Sequence, residues 1–267
     1  MPQSKYNWNL AIAETIKCLD SSLFAGKLVN LIKMIAPFDH CVMFAYFGQS
    51  RPLDLFDDFP PNKRRVFVTD YQAGPYLLDP FYLKCMEGSA EGLHRLKDFA
   101  PDRFYQGEYF RSYYVQTGLT EELGYFIPLP GNVTAVISLM RSGNSPQFSN
   151  REFRDLKGCE PIISALSCRH WRELTSHFSQ KSSRRDLQKY YSTGIDFAFN
   201  SFGKDLLTNR EREIVEYVLK GYSSQAIGKT LAIAPGTVRI HRKNIYAKLG
   251  INSQGELFSR FIEFLRD

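Results

Sequence analysis

The spacing of apolar residues in the first part of the chain separates a helical segment from strands. From Asn9 to Ala36 apolar residues recur every three to five positions, which places them on one side of a helix, and Pro37 ends the run. The next apolar run, Cys41–Phe47, is short and aromatic, and Pro52–Phe59 follows it after a polar turn. This pair of runs predicts a β-hairpin.

A second strand pair is predicted further along the chain. Residues 62–117 carry frequent Gly and Pro turn signals, so we expect short helices and loops there. Strands are then predicted at Leu123–Leu129 and Val133–Arg141, and the Pro-Gly-Asn sequence between them favours a hairpin turn.

A long helix is predicted to follow the second strand pair. It begins at Ser149, which can form a capping box with Glu152, and it continues past Trp171. Helices before, between and after two strand pairs predict an α+β fold, in which helices pack on a small antiparallel sheet as an α/β/α domain. This layout resembles GAF or PAS sensor modules.

Length and charge indicate two domains of different character. The 267 residues exceed one typical domain, and 43% hydrophobic residues are enough for a folded core. Residues 176–203 are polar, basic and Ser-rich in their first half, and we predict that they link a domain at 1–175 to a domain at 204–267. Residues 204–267 contain 11 Lys and Arg against 7 Asp and Glu, whereas 1–168 carry a net charge of −1. The basic C-terminal domain favours a polyanionic partner.

Several classes of protein are disfavoured by what the sequence lacks. It has no apolar run long enough for a membrane span and no secretion signal, so we expect a cytoplasmic protein. Its five cysteines form no CxxC pair, and neither they nor the histidines have zinc spacing, so we expect no disulfide framework and no bound metal. No Ser, Cys or His lies in a nucleophile motif, and we predict neither an enzyme nor a cofactor.

The last sixty residues carry a regular series of helix boundaries. Thr208 and Glu211 can form a capping box for a first helix, which Gly221 ends. Ser223 can cap a short second helix, and Pro235 suits the first position of a third. A fourth, apolar helix follows after Asn252, its predicted cap. Two short helices joined by a tight turn, with a basic third element, predict an all-α helix-turn-helix domain.

The third helix carries side chains suited to reading DNA. Arg239 and Lys243 lie one turn apart and project together, and Ile240 beside them can contact a thymine methyl group. Arg242, Asn244 and Lys248 are better placed for phosphates. The predicted DNA-binding residues are Thr237, Arg239, Ile240, Arg242, Lys243, Asn244 and Lys248.

These residues belong to a pattern that resembles the LuxR-type helix-turn-helix. The matching motifs are LT..E at 207–211, AI at 226–227, TVR.H at 237–241 and NIY.KLGI at 244–251. The resemblance implies a bacterial transcription factor that binds double-stranded DNA as a homodimer, with the fourth helix pairing the subunits. It also implies base contacts from Arg239, Ile240 and Lys243. The sequence departs from the pattern at two positions, where Ala234 replaces the usual Ser or Thr cap and Gly228 replaces the usual Ala.

The N-terminal domain determines what such a regulator responds to. No alternating strand–helix pattern surrounds its acidic residues, which argues against a phosphoacceptor receiver. The order of Phe67, Tyr71 and Asp79-Pro80 resembles domains that bind acylated homoserine lactones, although Phe67 stands where that family usually has Trp. The resemblance implies that Asp79 accepts an amide N–H and Tyr71 donates to an acyl carbonyl. Two alternatives stay open: a domain that binds a small-molecule effector, as in quorum sensing, or one that binds a partner protein without a ligand.

Overall fold

The computed structural model describes residues 2–48, 50–88, 90–115, 118–180 and 195–266. The strands are β1 (His40–Phe47), β2 (Leu53–Asp57), β3 (Gly92–Arg95), β4 (Leu119–Leu129) and β5 (Val133–Ser142). The helices of the N-terminal region are α1 (Pro2–Lys17), α2 (Phe24–Lys33), α3 (Pro61–Arg64), α4 (Pro80–Met86), α5 (Glu108–Phe110), α6 (Asn150–Gly158), α7 (Glu160–His170) and α8 (Leu174–Gln180). Those of the C-terminal region are α9 (Ile195–Ser201), α10 (Asn209–Lys220), α11 (Ser224–Thr230), α12 (Pro235–Leu249) and α13 (Gln254–Arg266).

The N-terminal region is built on one antiparallel sheet, which within the described residues has the strand order β2-β1-β5-β4-β3. Both predicted hairpins are present, with β1 paired to β2 and β4 paired to β5. Alternation along each strand divides the side chains between two faces. One face packs against α1, α2, α6 and α7, and the other packs against the short helices between β2 and β4. The predicted α+β fold with an α/β/α arrangement is therefore confirmed.

The first predicted helix is interrupted. It is divided into α1 and α2 by a turn in which Asp20 has a left-handed backbone, with φ at 60°. Contacts from α7 hold this turn: the Asp20 N–H donates to His170 Nδ1 at 3.0 Å, and Arg169 pairs with the Asp20 carboxylate at 3.2 Å. Because these contacts are distant in sequence, the apolar spacing alone carried no sign of the break.

The helix predicted from Ser149 is also divided. Ser149 and Glu152 form the expected capping box, but α6 ends at Gly158 and α7 restarts at Glu160 with a proline in its first turn. Pro161 has no backbone N–H to continue the helix, which accounts for the break. The edge strand β3 was not predicted, since its four residues are too short to show an alternating pattern.

The C-terminal region has the predicted helical boundaries. Thr208 and Glu211 form a capping box, Ser223 caps α11, and Gly221 and Gly250 end helices in the left-handed conformation. The fourth helix is capped by Ser253, whose hydroxyl accepts the Glu256 N–H at 3.1 Å, rather than by Asn252.

Of the predicted linker, residues 181–194 lie outside the described residues. Its two ends are helical, in α8 and α9. Phe199 and Phe202 of its C-terminal part pack on Phe261 of α13. In the part of the chain that the structure describes, no helix is both long and apolar enough to cross a membrane.

Candidate functional sites

The helix α12 has a core side and a solvent side. Val238 and Ile245 are buried against α10 and α11. Arg239 and Lys243 are exposed, and Ile240 between them is 62% exposed although its side chain is apolar. The solvent side of α12 therefore presents one apolar and two cationic side chains together.

The other predicted residues of α12 lie in different settings. Thr237 and Asn244 are exposed. Arg242 is half-buried, since its Nη2 donates to Tyr246 Oη at 3.1 Å and to Gln254 Oε1 at 3.3 Å. A cleft of about 460 Å³ runs beside these side chains, and it is lined by Arg239, Arg242, Lys243, Tyr246, Ala247, Ile251 and Asn252.

Lys248 is engaged within the domain. Its Nζ donates to both carboxylate oxygens of Glu211, at 2.9 and 2.7 Å. Burial opposes ionisation of Glu211, but the hydrogen bonds from Lys248 and Thr208 outweigh it and lower the pKa of this carboxyl. Lys248 therefore ties α12 to the start of α10, and two of its three N–H donors are engaged there.

The turn between α11 and α12 has two features that the sequence pattern did not predict. Ala232 adopts a left-handed backbone, with φ at 54°. A Cβ on Gly228 would lie 2.7 Å from the carbonyl oxygen of Ile233, so the departure from the usual Ala allows a close approach of the turn to α11. Only the packed turn reveals this approach.

Tyr71 and Asp79 are hydrogen-bonded to each other inside the N-terminal region. The Tyr71 hydroxyl donates to Asp79 Oδ2 at 2.7 Å and lies 2.8 Å from the hydroxyl of Tyr46 on β1. Asp79 Oδ1 accepts the Phe81 N–H at 2.8 Å, which makes Asp79 the cap of α4. Asp79 thus combines a structural role with a place in a buried polar cluster.

Phe67 lies in the same core but takes no part in the hydrogen bonds among Tyr46, Tyr71 and Asp79. It is buried in a π-helical turn and stacks on Phe59, with ring centroids 4.7 Å apart. Its side chain has no hydrogen-bond donor, so it can supply only apolar contact to a ligand.

A second buried carboxyl group was missed by the sequence interpretation. Glu122 on β4 accepts a hydrogen bond from the Tyr114 hydroxyl at 2.6 Å and another from Ser138. Burial and the nearby Asp79 carboxyl raise the pKa of Glu122 to about 7. Burial likewise raises the pKa of Asp79 to about 6, against hydrogen bonds from Tyr71 and Phe81. We call the group formed by Tyr46, Tyr71, Asp79, Tyr114, Glu122 and Ser138 the carboxyl–tyrosine cluster.

Two cavities border the cluster. One, of about 360 Å³, has Tyr46 in its wall, and it is otherwise lined by Gly48, Cys85, Met86, Gly88, Ala90, Pro128, Leu129, Asn132, Val133 and Thr134. The other, of about 210 Å³, includes Tyr114 and Glu122 in its wall. Within the described residues, no group of three or more His, Cys, Asp or Glu is arranged to hold a metal ion.

One signal in the sequence could have identified Glu122. Glu121 and Glu122 are adjacent on a strand of a sheet that is covered on both faces, so one of them must point toward each layer. Glu121 pairs with Arg95 on one side, which leaves Glu122 directed into the cluster.

Comparisons with known proteins give a consistent assignment. Residues 205–261 match the family described as bacterial regulatory proteins, luxR family (GerE). The HTH-type transcriptional regulator of the exeN 3' region in Aeromonas salmonicida is 32% identical over 187 residues, which cover 70% of this chain and 94% of that protein. The regulator UhpA of Escherichia coli is 34% identical over 74 residues, covering 28% of this chain and 38% of UhpA. The structure of the VqsR LBD domain from Pseudomonas aeruginosa is similar with a TM-score of 0.54 and 26% identity, over 61% of this chain and 95% of that domain.

Proposed function

This chain belongs to the luxR family of bacterial regulatory proteins and is a DNA-binding transcriptional regulator, and from that premise we propose that α12 reads the base sequence while the N-terminal region binds a small-molecule effector. The proposed reading of bases by α12 is supported by one observation: Arg239, Ile240 and Lys243 are exposed on a helix whose opposite side packs into the core. A major groove accepts one such helix.

Different side chains of α12 are assigned different tasks. Arg239 and Lys243 donate to guanine acceptors, and Ile240 contacts a thymine methyl group. Thr237, Asn244 and Arg242 contact phosphates, which contribute affinity without sequence choice. We assign Lys248 chiefly to holding Glu211, in contrast to the phosphate contact predicted from the sequence.

The base-reading assignment is tested on DNA chosen by the protein itself. A duplex is selected from a random library by the wild-type chain, and binding to it is compared with binding to random duplex. We expect Arg239→Ala to lower the preference for the selected duplex by about 1–3 kcal/mol. Lys204→Ala is the matched control, because it removes an exposed cation outside α12. Equal losses on both duplexes for Arg239→Ala would refute the assignment.

The effector is proposed to occupy the space around the carboxyl–tyrosine cluster. Buried hydroxyl and carboxyl groups next to cavities whose walls combine apolar and polar side chains suit a ligand that has an apolar part and several hydrogen-bonding groups. The similarity to the VqsR LBD domain supports a binding role for this region.

Native mass spectrometry of the full chain purified from its own host tests this proposal. We expect the protein to carry an added mass from a bound small molecule. The fraction of protein with this added mass should be lower for Tyr71→Phe, because the substitution removes the hydroxyl that is hydrogen-bonded to Tyr46 and Asp79. Repeated absence of any added mass from a stably folded protein would favour the alternative, an N-terminal region that binds a partner protein.

We also propose that the regulator acts in the cytoplasm as a homodimer. A twofold-symmetric dimer presents two copies of α12 to two half-sites about 34 Å apart on one face of the duplex. Light scattering with and without a selected duplex measures the stoichiometry. One chain bound per duplex at saturation would contradict the dimer.

A further inference from the structure

The smaller of the two cavities beside the carboxyl–tyrosine cluster has an aromatic wall and a buried carboxyl group. Its volume is about 210 Å³, and Tyr105, Phe110, Tyr114 and Glu122 are among its lining residues. Tyr114 and Glu122 are buried, whereas Tyr105 is 48% exposed. The cavity therefore extends from an exposed ring to a carboxyl group inside the fold.

The three rings of this wall lie against one another. The ring centroids of Tyr105 and Phe110 are 5.1 Å apart, with the planes at 75°, and Phe110 is stacked on Tyr114 with centroids 5.1 Å apart and planes at 17°. The row ends at Glu122, whose Oε2 accepts the Tyr114 hydroxyl at 2.6 Å. Aromatic faces attract organic cations, and groups of rings recognise ammonium groups in this way.

Two of the rings come from a segment that departs from α-helical geometry. The helix α5 ends at Phe110 and continues as a π-helical segment over Arg111–Val115, which contains Tyr114. Segments of π-helix are rare and are found frequently at functional sites. The backbone that carries Phe110 and Tyr114 is therefore of a kind that often accompanies binding.

Glu122 has no cationic partner among the residues that the structure describes. Its carboxyl group accepts hydrogen bonds from Tyr114 and Ser138, and the charged group that acts on it is the carboxyl of Asp79. Two hydroxyl donors use only part of the acceptor capacity of a carboxylate, which has about four lone-pair sites. Because buried charges in proteins are normally paired, the ionised form of Glu122 requires a cation.

Two cations of the chain line the same cavity, and neither forms an ion pair with Glu122. Arg95 pairs with Glu121 and donates to the carbonyl oxygen of Phe148 at 3.0 Å. Lys97 is exposed, so water and salt screen its charge. The buried part of the cavity therefore keeps an excess negative charge when Glu122 is ionised.

We propose that Tyr105, Phe110, Tyr114 and Glu122, which we call the aromatic–carboxylate site, bind an effector that carries an organic ammonium group. This inference rests on the proposed function, because it names the chemical class of the effector. The ammonium group donates to the Glu122 carboxylate and contacts the rings. A metal ion is disfavoured, since within the described residues no group of three or more His, Cys, Asp or Glu could hold one.

A matched pair of probes tests the charge requirement. Isothermal titration calorimetry of the full chain compares phenethylamine with phenethyl alcohol, which share the same ring and chain and differ in the terminal group. The titrations are made at about pH 8 with equal chloride, because Glu122 is ionised above its pKa of about 7. We expect the amine to bind at least about tenfold more tightly than the alcohol, because only the amine offers a charged donor to the carboxylate.

Substitution of Glu122 shows whether this carboxylate is the source of the preference. Glu122→Gln keeps an oxygen that can accept the Tyr114 hydrogen bond but has no charge. We expect the two probes to bind this variant within about twofold of each other. Glu91→Gln is the matched control, because it removes an exposed carboxylate outside the cavity, and it should keep the wild-type preference.

Substitution of Tyr105 tests the aromatic wall. Tyr105→Ala removes the exposed ring, and we expect it to weaken phenethylamine binding at least about threefold. Tyr105→Phe keeps the ring and removes only the hydroxyl, so it should bind the amine as wild type does. Amine binding that is unchanged in Tyr105→Ala would contradict the aromatic part of the site.

The outcomes separate this inference from the proposed function. Equal binding of the two probes by wild type, absence of binding by both, or a preference retained in Glu122→Gln would overturn the ammonium site. In native mass spectrometry of the chain from its own host, a bound molecule with a basic nitrogen would support the site. A bound molecule without one would overturn it and leave effector binding by the N-terminal region standing. The calorimetric comparison uses added probes, so it decides the inference even when the purified chain carries no bound molecule.

Discussion

Replacing the buried Glu122 by Gln should stabilise the protein above neutral pH and leave it unchanged in acid. The pKa of Glu122 is raised from 4.5 to about 7 in the folded chain, chiefly by burial. Between these two values the unfolded chain loses a proton that the folded chain retains, so the contribution of this group to stability falls as pH rises. A shift of this size corresponds to roughly 3 kcal/mol. Gln keeps a carbonyl oxygen that can accept the Tyr114 hydrogen bond and never ionises.

Urea unfolding at about pH 5 and about pH 8, followed by the fluorescence of Trp8 and the buried Trp171, measures the effect. We expect Glu122→Gln to raise the free energy of unfolding by about 2–3 kcal/mol at the higher pH and by much less at the lower. Glu91→Gln is the matched control, because Glu91 is exposed. A gain that is equal at both pH values, or no gain at the higher pH, would refute the electrostatic reasoning.

Three further substitutions test other parts of the structure. Gly221→Ala should lower the free energy of unfolding by about 2 kcal/mol or more in thermal denaturation, because the left-handed backbone and the neighbouring main chain both oppose a Cβ; Gly158→Ala, in open space, should have little effect. Lys248→Met should lower the free energy of unfolding of the C-terminal region in urea by about 1–2 kcal/mol, because it removes the cation that compensates the buried Glu211. An unchanged free energy of unfolding would favour the phosphate contact that the sequence predicted for Lys248. Tyr71→Phe removes a hydrogen bond that lowers the pKa of Asp79, and we expect a loss of about 1 kcal/mol that grows as pH rises through 6, as measured by urea unfolding across pH.

The C-terminal helices were predictable because their boundary signals are local. A capping box spans three residues, and a glycine that ends a helix acts through its own backbone angle. Thr208, Gly221, Ser223 and Pro235 therefore had the predicted roles. Asn252 did not, because Ser253 next to it offers an equally suitable hydroxyl.

The breaks in the N-terminal helices and the partners of its polar groups were not predictable in this way. Asp20 takes its backbone conformation in a turn held from α7, about 150 residues away. A strand pattern can direct Glu122 inward, but it does not report that Asp79 lies near enough to raise the pKa of Glu122 further. Lys248 looked like a phosphate ligand because its partner Glu211 lies 37 positions earlier.

The sequence by itself determined the two hairpins, the helix-turn-helix and the exposed position of Arg239, Ile240 and Lys243, because each depends on neighbours within a few residues or on a simple periodicity. Only the tertiary structure decided which polar groups meet in the carboxyl–tyrosine cluster. It also decided that Asp102 of the N-terminal region accepts a hydrogen bond from the Ser223 N–H of the C-terminal region. The physical reason is that burial and electrostatic coupling depend on distances between segments far apart in the chain, which no local pattern encodes.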